Sequence, residues 1–220
     1  MTVHYQSASW ARPTSNLIAL TTYRNFDHQR LGDILSKIVF CRQTHSDRVI
    51  QVSSELVGSP TADAMITDQT NLGLGVLTAD CVPVFIHDQK RSIIGIAHAG
   101  WRGTIAHIAS KTLLKMKKTF GTVSSDCQAH FGPSIQKCCY QVSNHLADQF
   151  VETFGESIRV NKNFLDLPTA NKVQLQRQGM LNKAISMATD CTACSPELFY
   201  SYRSESTDGR MISLIALRAT

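Results

Sequence analysis

Three short apolar runs lie close together in the middle of the chain, between Leu74 and Thr104. Polar and turn-forming residues separate each run from the next. Short runs rich in valine and isoleucine between turn signals are typical of strands that are buried on both faces. The pattern therefore predicts three strands, at Gly75–Thr78, Val82–Ile86 and Ser92–Ala97, with a polar turn at Asp88–Arg91.

In the rest of the chain, short apolar runs typical of strands occur between stretches in which apolar residues have helical spacing. Short apolar runs predict strands at Leu17–Thr22, Ile38–Cys41, Val49–Val52, Ala64–Thr67, Gln128–Phe131, Leu198–Tyr202 and Met211–Leu217, with a short extended segment at Phe164–Leu167. Helical spacing predicts helices at Gln29–Lys37, from Ile105 to a stop at Gly121, from a cap at Ser143 through Phe154, and from a cap at Thr169 to about Thr189. Strands outnumber helices without regular βαβ alternation. This favours an α+β (mixed α/β) fold, with mixed sheets and outer helices in a single domain over residues 1–220, and not a doubly wound parallel sheet.

Composition and charge exclude several classes of protein. The net charge of +5 is mild, and its densest cluster, Lys115, Lys117 and Lys118, lies on a predicted surface helix, so we expect no nucleic-acid partner. A modest net positive charge suits the binding of a small anionic substrate such as phosphate. No segment has the apolar length of a membrane span, and the first residues lack the apolar region of a secretory signal. We therefore expect a cytoplasmic protein, in which seven cysteines are reduced thiols or metal ligands.

The residues with reactive side chains stand where the predicted strands start and stop. Asp80 and Cys81 fall between two runs, His98 ends the third, and His45 follows an earlier strand. Two histidines and a cysteine at strand ends are what an open zinc site needs, because three protein ligands leave the fourth position to water or substrate.

Each of these residues also has other interpretations. His45 alone is most often a surface histidine, and His98 could be a core histidine. Cys81 could be a buried apolar side chain, or a nucleophile with His98 as its base. Asp80 could orient a histidine, act as a general base or accept backbone hydrogen bonds in a turn.

Two further groups of residues carry weaker signals. Four cysteines could in principle hold a second zinc ion through four sulfurs, namely Cys138, Cys139, Cys191 and Cys194. An adjacent pair with one C-x-x-C is not the usual spacing of two zinc knuckles, so packed thiols are favoured. Arg102, Arg203 and Arg210 could each bind a phosphate through two N–H groups, or form structural ion pairs.

The motifs that contain these residues resemble those of a known family. The sequences TADCVPVFIHD and GIAHAGWRGT are similar to the signature of the YfiH/DUF152 proteins, once described as multicopper polyphenol oxidases (laccases) and including the peptidoglycan editing factor. Further matches are RQTHSD, ADAMIT, FGPSIQKCCYQV, FLDL and CTACSPELFYSYRSESTDGRMISLI. The resemblance covers the chain from about Ile38 to its end. The N-terminal part, about 1–37, is shortened relative to the family.

The resemblance implies a fold, a metal site and an activity. The fold is the CNF1/YfiH-like one, with mixed sheets sandwiched between helices. The zinc ligands fall on His45, Cys81 and His98. The implied partners are purine nucleosides and phosphate. From composition we expect no membrane partner, and the protein could form a homodimer. The implied reactions are phosphorolysis of adenosine, inosine and methylthioadenosine, and deamination of adenosine.

The first functional hypothesis is accordingly a zinc-dependent purine nucleoside enzyme. In deamination, activated water would attack C6 of adenine and Asp80 would move the proton. In phosphorolysis, Arg102 would position the phosphate that attacks C1′. Gln43 and Arg203 complete the candidate substrate-binding residues, and Cys81, Asp80 and His98 are the candidate catalytic ones.

Three other hypotheses stand beside it. In a cysteine hydrolase, Cys81 would attack an amide, for example in a cell-wall precursor, with His98 as base. Copper-dependent phenol oxidation would use Cu²⁺ in place of Zn²⁺. A multicopper oxidase needs many further histidines for its oxygen-reducing cluster, whereas this chain has eight histidines and no H-x-H pair, so this hypothesis is not favoured. A non-enzymatic metal-storage domain would not need an open coordination position.

Overall fold

The computed structural model describes residues 5–8 and 16–219. Parts of the predicted N-terminal segment of about 1–37, namely residues 1–4 and 9–15, lie outside the described residues, as does Thr220. The strands are β1 (Tyr5–Ser7), β2 (Leu17–Thr22), β3 (Lys37–Phe40), β4 (Val49–Gln51), β5 (Ala64–Thr67), β6 (Leu72–Thr78), β7 (Val82–Asp88), β8 (Ile93–Ala99), β9 (Cys127–Phe131), β10 (Ile185–Met187) and β11 (Met211–Leu217). The α-helices are α1 (Leu31–Ile34), α2 (Trp101–Ile105), α3 (Ile108–Phe120), α4 (Asn144–Phe154), α5 (Leu167–Arg177) and α6 (Tyr202–Glu205), with single 3-10 turns at His28–Arg30, Ser124–Asp126, Glu156–Ile158 and Asn182–Ala184.

The strands form two mixed sheets. One has five strands in the order β1-β2-β11-β6-β3, and the other has six in the order β10-β9-β7-β8-β5-β4. The pairs β3–β6, β4–β5 and β9–β10 are parallel, and the other pairs are antiparallel. The predicted mixed sheet system is confirmed. No helix in the described part of the chain has both the length and the apolar character that crossing a bilayer requires.

Three apolar layers hold the sheets and helices together. Between the sheets, Leu74 and Ile215 of the five-stranded sheet pack with Phe85 and Ile96 of the six-stranded one. The opposite face of the six-stranded sheet is covered by α3, α4 and α5, and α1 packs on the outer face of the other sheet. Because each central strand is buried on both faces, its sequence is a continuous apolar run and not an alternation of apolar and polar residues. The helices thus lie outside the sheets, as predicted.

Two predicted elements in the C-terminal third are wrong. The helix predicted from Thr169 to about Thr189 is α5, which starts after Asp166 and ends at Arg177. Asp166 caps it by accepting a hydrogen bond from the backbone N–H of Thr169, so Thr169 is the third helical residue and not the cap. The chain then turns at Gly179, whose φ of 91° suits glycine, before it forms β10.

The second wrong element is the strand predicted at Leu198–Tyr202. Leu198 and Phe199 lie in a turn, since both of their N–H groups donate to the Ser195 carbonyl. Helix α6 begins at Tyr202, because the Ser201 hydroxyl caps it by accepting from the Ser204 N–H. The segment Phe164–Leu167 is extended only at isolated bridges, and Leu167 already belongs to α5.

The helices predicted nearer the N-terminus differ in detail. The helix predicted from Ile105 is α3, which begins only at Ile108, because His107 before it has a left-handed φ of 64°. A separate short helix, α2, ends at Ile105. The predicted stop of α3 at Gly121 is confirmed, as is the Ser143 cap of α4. The helix predicted at Gln29–Lys37 is shorter, ending at Ile34.

Two buried histidines predict acid sensitivity. Burial lowers the pKa of His87, on β7, and of His130, on β9, to about 4 each. The unfolded chain binds their protons below about pH 6.5, whereas the folded chain binds them only near pH 4. The free energy of unfolding should therefore fall as the pH falls through this window, by about 3 kcal/mol for each histidine. Urea unfolding of the parent protein and of His130→Gln at pH 7 and pH 5 tests this, with a shallower pH dependence expected in the variant. Parallel pH dependences would contradict it.

Candidate metal centre and pocket

The three predicted metal ligands lie together. One ligand atom from each of His45, Cys81 and His98 lies within 4.8 Å of those of the other two. The imidazole centroids of His45 and His98 are also 4.8 Å apart, with the rings near perpendicular. His98 is buried, Cys81 is half-buried and His45 is exposed. The group therefore extends from the core to the surface, as an accessible site requires.

Each ligand is positioned by the end of a strand or by a strained loop. His98 is the second-last residue of β8, opposite Pro83 on β7. Cys81 directly precedes β7 and follows Asp80, whose φ is 85°. His45 lies between β3 and β4 with a φ of 59°. Because left-handed backbone is unfavourable for these residues, surrounding contacts must hold both turns.

A carboxylate that the sequence reasoning missed holds this arrangement. Oδ1 of Asp63 accepts a hydrogen bond from the His45 N–H at 3.0 Å and lies 2.9 Å from Nδ1 of His98. Oδ2 accepts from the N–H groups of Thr44 at 3.1 Å and Ser46 at 2.7 Å, and from the Ser46 hydroxyl at 2.6 Å. One buried side chain thus fixes both the loop and the ring of His98.

The sequence contained one signal for Asp63. It is the acidic residue of ADAMIT and directly precedes β5. A carboxylate next to a predicted strand becomes a candidate partner for a histidine at the end of another strand once the two strands are known to pair. Burial alone would raise the pKa of Asp63, but its bonds to His98 and Ser46 hold that pKa well below its usual range.

The electrostatics of the triad favour a thiolate. Burial alone would raise the pKa of Cys81, but contacts with His45 and His98 lower it to about 6. Burial would lower the pKa of His98, but Asp63 and Cys81 raise it to about 9. Since Nδ1 of His98 is engaged with Asp63, Nε2 is the nitrogen available on the Cys81 side. A thiolate with two imidazole nitrogens is a donor set that Zn²⁺ binds.

Gly100 leaves space for the side chains of Cys81 and His45, because it has no side chain of its own. A Cβ at Gly100 would lie 2.9 Å from Sγ of Cys81 and 3.0 Å from Cδ2 of His45. Gly100 has an ordinary φ of −74°, so it is the space beside the ligands, and not the backbone conformation, that excludes a side chain. The residues therefore fit a metal ion bound by His45, Cys81 and His98.

Gly100→Ala should disturb the donors without unfolding the chain. The added methyl group pushes against Cys81 and His45, and we expect about 10–100-fold weaker zinc binding, comparable to the loss of an outer-shell partner. Competition titration with a chromogenic chelator measures this affinity. Gly32→Ala, where nothing lies within 4 Å of the new Cβ, is the control. Equal zinc affinities in both variants would contradict the predicted crowding.

A cavity of about 720 Å³ opens onto the triad. All three predicted substrate-binding residues line it, but their contacts differ. The Gln43 amide is bonded through both its oxygen and its nitrogen to the backbone of Leu77. The Arg203 guanidinium donates to the carbonyls of Cys139 and Gln141.

Arg102 differs from the other two candidates. Its guanidinium lies 4.2 Å from the centroid of the Trp101 ring, and within residues 5–8 and 16–219 it takes part in no ion pair. A stacked guanidinium without a carboxylate partner retains its donors for an anion. Of the three candidates, Arg102 is therefore the best placed to bind a phosphate.

Asp80 lies on the same wall but is engaged by the protein. Its Oδ1 accepts from the Thr192 hydroxyl and its Oδ2 from the Arg203 N–H, both at 2.7 Å. Its backbone carbonyl accepts from the N–H of Ile135 at 2.9 Å. Asp80 thus joins three segments of the pocket wall, and its role in proton transfer stays a prediction.

The comparisons with known proteins identify the family and the fold of this chain. The sequence profile of the family described as "Multi-copper polyphenol oxidoreductase laccase" matches residues 21–218. The chain is 33% identical over 201 residues to purine nucleoside phosphorylase YlmD of Bacillus subtilis (strain 168). This alignment covers 84% of this chain and 72% of that protein. The chain is 32% identical over 190 residues to adenosine deaminase RL5 of an unknown prokaryotic organism, covering 79% and 72%. The crystal structure of Bacillus licheniformis hypothetical protein YfiH superposes with a TM-score of 0.85 at 29% identity, over 92% of this chain and 93% of that chain. The predicted YfiH-like fold and family resemblance are thus confirmed.

Proposed function

We propose that this chain, which belongs to the family of the multi-copper polyphenol oxidoreductase laccases, is a metal-dependent purine nucleoside enzyme. The proposed reactions are phosphorolysis of adenosine, inosine and methylthioadenosine to the free base and ribose 1-phosphate, and deamination of adenosine to inosine. Relatives named purine nucleoside phosphorylase and adenosine deaminase support this choice. The observation that carries it is the convergence of His45, Cys81 and His98 at an open cavity.

Zinc is the metal that we assign to this site. His45, Cys81 and His98 would hold it, and a bound Zn²⁺ would supply Lewis acidity that lowers the pKa of water toward neutrality. The same donors also bind Cu²⁺, so metal identity is part of the test. We do not extend the proposal to phenol oxidation, because the only other ligand cluster among the described residues consists of four cysteines.

The remaining wall residues suit a nucleoside and phosphate. Trp101, Tyr140 and Tyr202 contribute aromatic surface to the cavity, which favours a flat purine ring. In phosphorolysis, an oxygen of hydrogen phosphate bonds to C1′ while the bond from C1′ to the base nitrogen breaks, and the base takes up the proton that the phosphate releases. We assign Arg102 to hold the phosphate through two N–H groups.

Deamination needs water and a proton carrier in the same cavity. The oxygen of water adds at C6 of adenine and ammonia leaves with the proton that the water released. Asp80 is the carboxylate that we assign to this proton transfer, since it lines the cavity next to Cys81. Asp63 would act only through its neighbours, by orienting the His98 ring and holding the His45 loop.

A nucleoside panel tests the proposal. Purified protein is incubated with adenosine, inosine and methylthioadenosine, each with and without phosphate, and the products are separated by chromatography. We expect free bases that require phosphate and inosine that does not. Treatment with a chelator should abolish both activities, and zinc should restore them. Full activity in metal-free protein, or no product from any nucleoside with zinc bound, would reject the proposal.

One observation also favours a cysteine hydrolase as the second candidate. The Cys81 thiol has a lowered pKa and contacts His98, as an activated nucleophile would. Its substrate would be an amide, such as one in a peptidoglycan precursor. Alkylation by iodoacetamide separates the two candidates. Bound zinc should protect Cys81 if it is a ligand, whereas a nucleophile should react at the same rate with or without added zinc.

A further inference from the structure

A second group of sulfur atoms lies outside the triad. Cys138 and Cys139 follow β9 in the chain, whereas Cys191 and Cys194 follow β10, and the folded chain brings all four together. Their Sγ atoms lie within 4.8 Å of one another. Cys191 is buried, Cys139 is half-buried, and Cys138 and Cys194 are exposed, so the group lies at the surface with one side in the protein.

The spacing of the sulfurs matches four corners around one ion. With Zn–S bonds of about 2.3 Å, the edges of a tetrahedral four-sulfur site measure about 3.8 Å. Sγ of Cys194 lies 3.7 Å from that of Cys138 and 3.3 Å from that of Cys139. These separations are close to the tetrahedral edge and well above the bond length of about 2.05 Å in a disulfide.

One backbone N–H group is directed at the buried sulfur. The Gln136 N–H donates to Sγ of Cys191 at 3.4 Å. A tight turn holds this C-x-x-C segment, since the N–H groups of Cys194 and Ser195 both donate to the Cys191 carbonyl at 3.1 Å. An N–H donor at a sulfur favours the thiolate over the thiol, and the thiolate is the form that binds metal.

We propose that Cys138, Cys139, Cys191 and Cys194 form a second metal site, which takes a soft divalent cation, Zn²⁺. Four thiolates complete a tetrahedral shell and leave no position for water or substrate, so this site is structural. It differs in that respect from the triad, which has three donors at an open cavity.

The four-cysteine site would fasten two loops that build the pocket wall. A parallel bridge already joins Ser134 and Cys191, and the Arg203 guanidinium donates to the Cys139 carbonyl. Thr192, between two of the proposed ligands, donates its hydroxyl to Asp80. An ion that ties these loops together would therefore stabilise the wall that carries Asp80 and Arg203.

Counting metal by inductively coupled plasma mass spectrometry tests the proposal, and it does not depend on any enzymatic activity. Wild-type protein purified with zinc should carry about two equivalents per chain, and Cys81→Ala and Cys194→Ser about one each. Cys127→Ala, which removes a buried thiol outside both groups, should keep about two. We also expect the melting temperature of Cys194→Ser to fall by several degrees.

A spectrum of the folded Cys81→Ala variant covers the case in which Cys194→Ser fails to fold. Loaded with Co²⁺, it should show the thiolate-to-cobalt charge-transfer bands of a tetrahedral four-sulfur site. Absence of these bands would overturn the proposal. So would a Cys81→Ala variant without zinc, or an intact mass showing that these thiols form a disulfide in the freshly purified protein.

Discussion

Cys81→Ala is expected to abolish nucleoside turnover and to empty the triad of metal. Alanine removes the only anionic donor, and the two imidazoles that remain are too few to hold Zn²⁺ in this site. Loss of an outer-shell partner typically costs 10–100-fold in affinity or activity, so loss of a ligand should reduce kcat/KM by more than about 100-fold. Steady-state assays with inosine and phosphate, together with circular dichroism to check folding, measure the effect.

Cys41→Ala is the matched control for this substitution. Cys41 lines the same cavity, but its thiol is buried and its pKa is raised to about 11, so it is neutral near pH 7. We expect Cys41→Ala to keep its metal and most of its activity. A Cys81→Ala variant with wild-type turnover would contradict the assignment. A variant that is inactive but retains zinc in the triad would point to a nucleophilic role for Cys81.

Asp63→Asn is expected to weaken metal binding and to destabilise the protein together. The asparagine has the same size, but its NH₂ group must face N–H donors that now bond to a carboxylate oxygen. Metal affinity and kcat/KM should fall about 10–100-fold, as for other outer-shell partners of zinc histidines. The free energy of unfolding should fall by about 2–4 kcal/mol, because buried donors lose their acceptor.

Two measurements on one sample check the Asp63 prediction. Zinc competition titration gives the affinity, and urea unfolding of the metal-free protein gives the stability. Asp68→Asn removes an exposed carboxylate just beyond the other end of β5, and it should change neither quantity. If Asp63→Asn retained wild-type zinc affinity, the view that Asp63 orients His98 would be wrong.

The convergence of His45, Cys81 and His98 could be predicted from the sequence, because all three lie at the ends of predicted strands. Cys81 directly precedes one apolar run, His98 ends another and His45 follows an earlier strand, and the family resemblance points to the same three residues. Asp63 could not be assigned in the same way. Its function depends on which strand β5 pairs with, and Ala64 lies opposite Ala97 of β8 only in the folded sheet.

The wrong elements share a different physical cause. Thr169 and Asp166 are both good helix caps by composition, and only the hydrogen bond to the Thr169 N–H decides between them. The apolar residues of Leu198–Tyr202 resemble a strand, yet the Ser201 hydroxyl caps a helix there instead. Local competition of this kind is decided by geometry that a hydrophobic pattern does not contain.

The proximity of the four cysteines could not be predicted either, because it depends on residues that are far apart in the chain. An adjacent pair and a distant C-x-x-C do not have the usual spacing of zinc knuckles, so the sequence favoured packed thiols. The folded chain nevertheless places Cys139 beside Cys194, 55 positions apart. Parallel pairing of β9 with β10 brings the segments that follow both strands to the same edge of the sheet, which no local pattern predicts.

Anomalous X-ray scattering at the zinc edge, from crystals of the protein purified with zinc, tests the central claim most directly. We predict a peak at the cavity, about 2.0–2.3 Å from a nitrogen of His45, Sγ of Cys81 and Nε2 of His98. A zinc-loaded crystal with no peak between these three side chains, or with peaks only at the four cysteines, would contradict it.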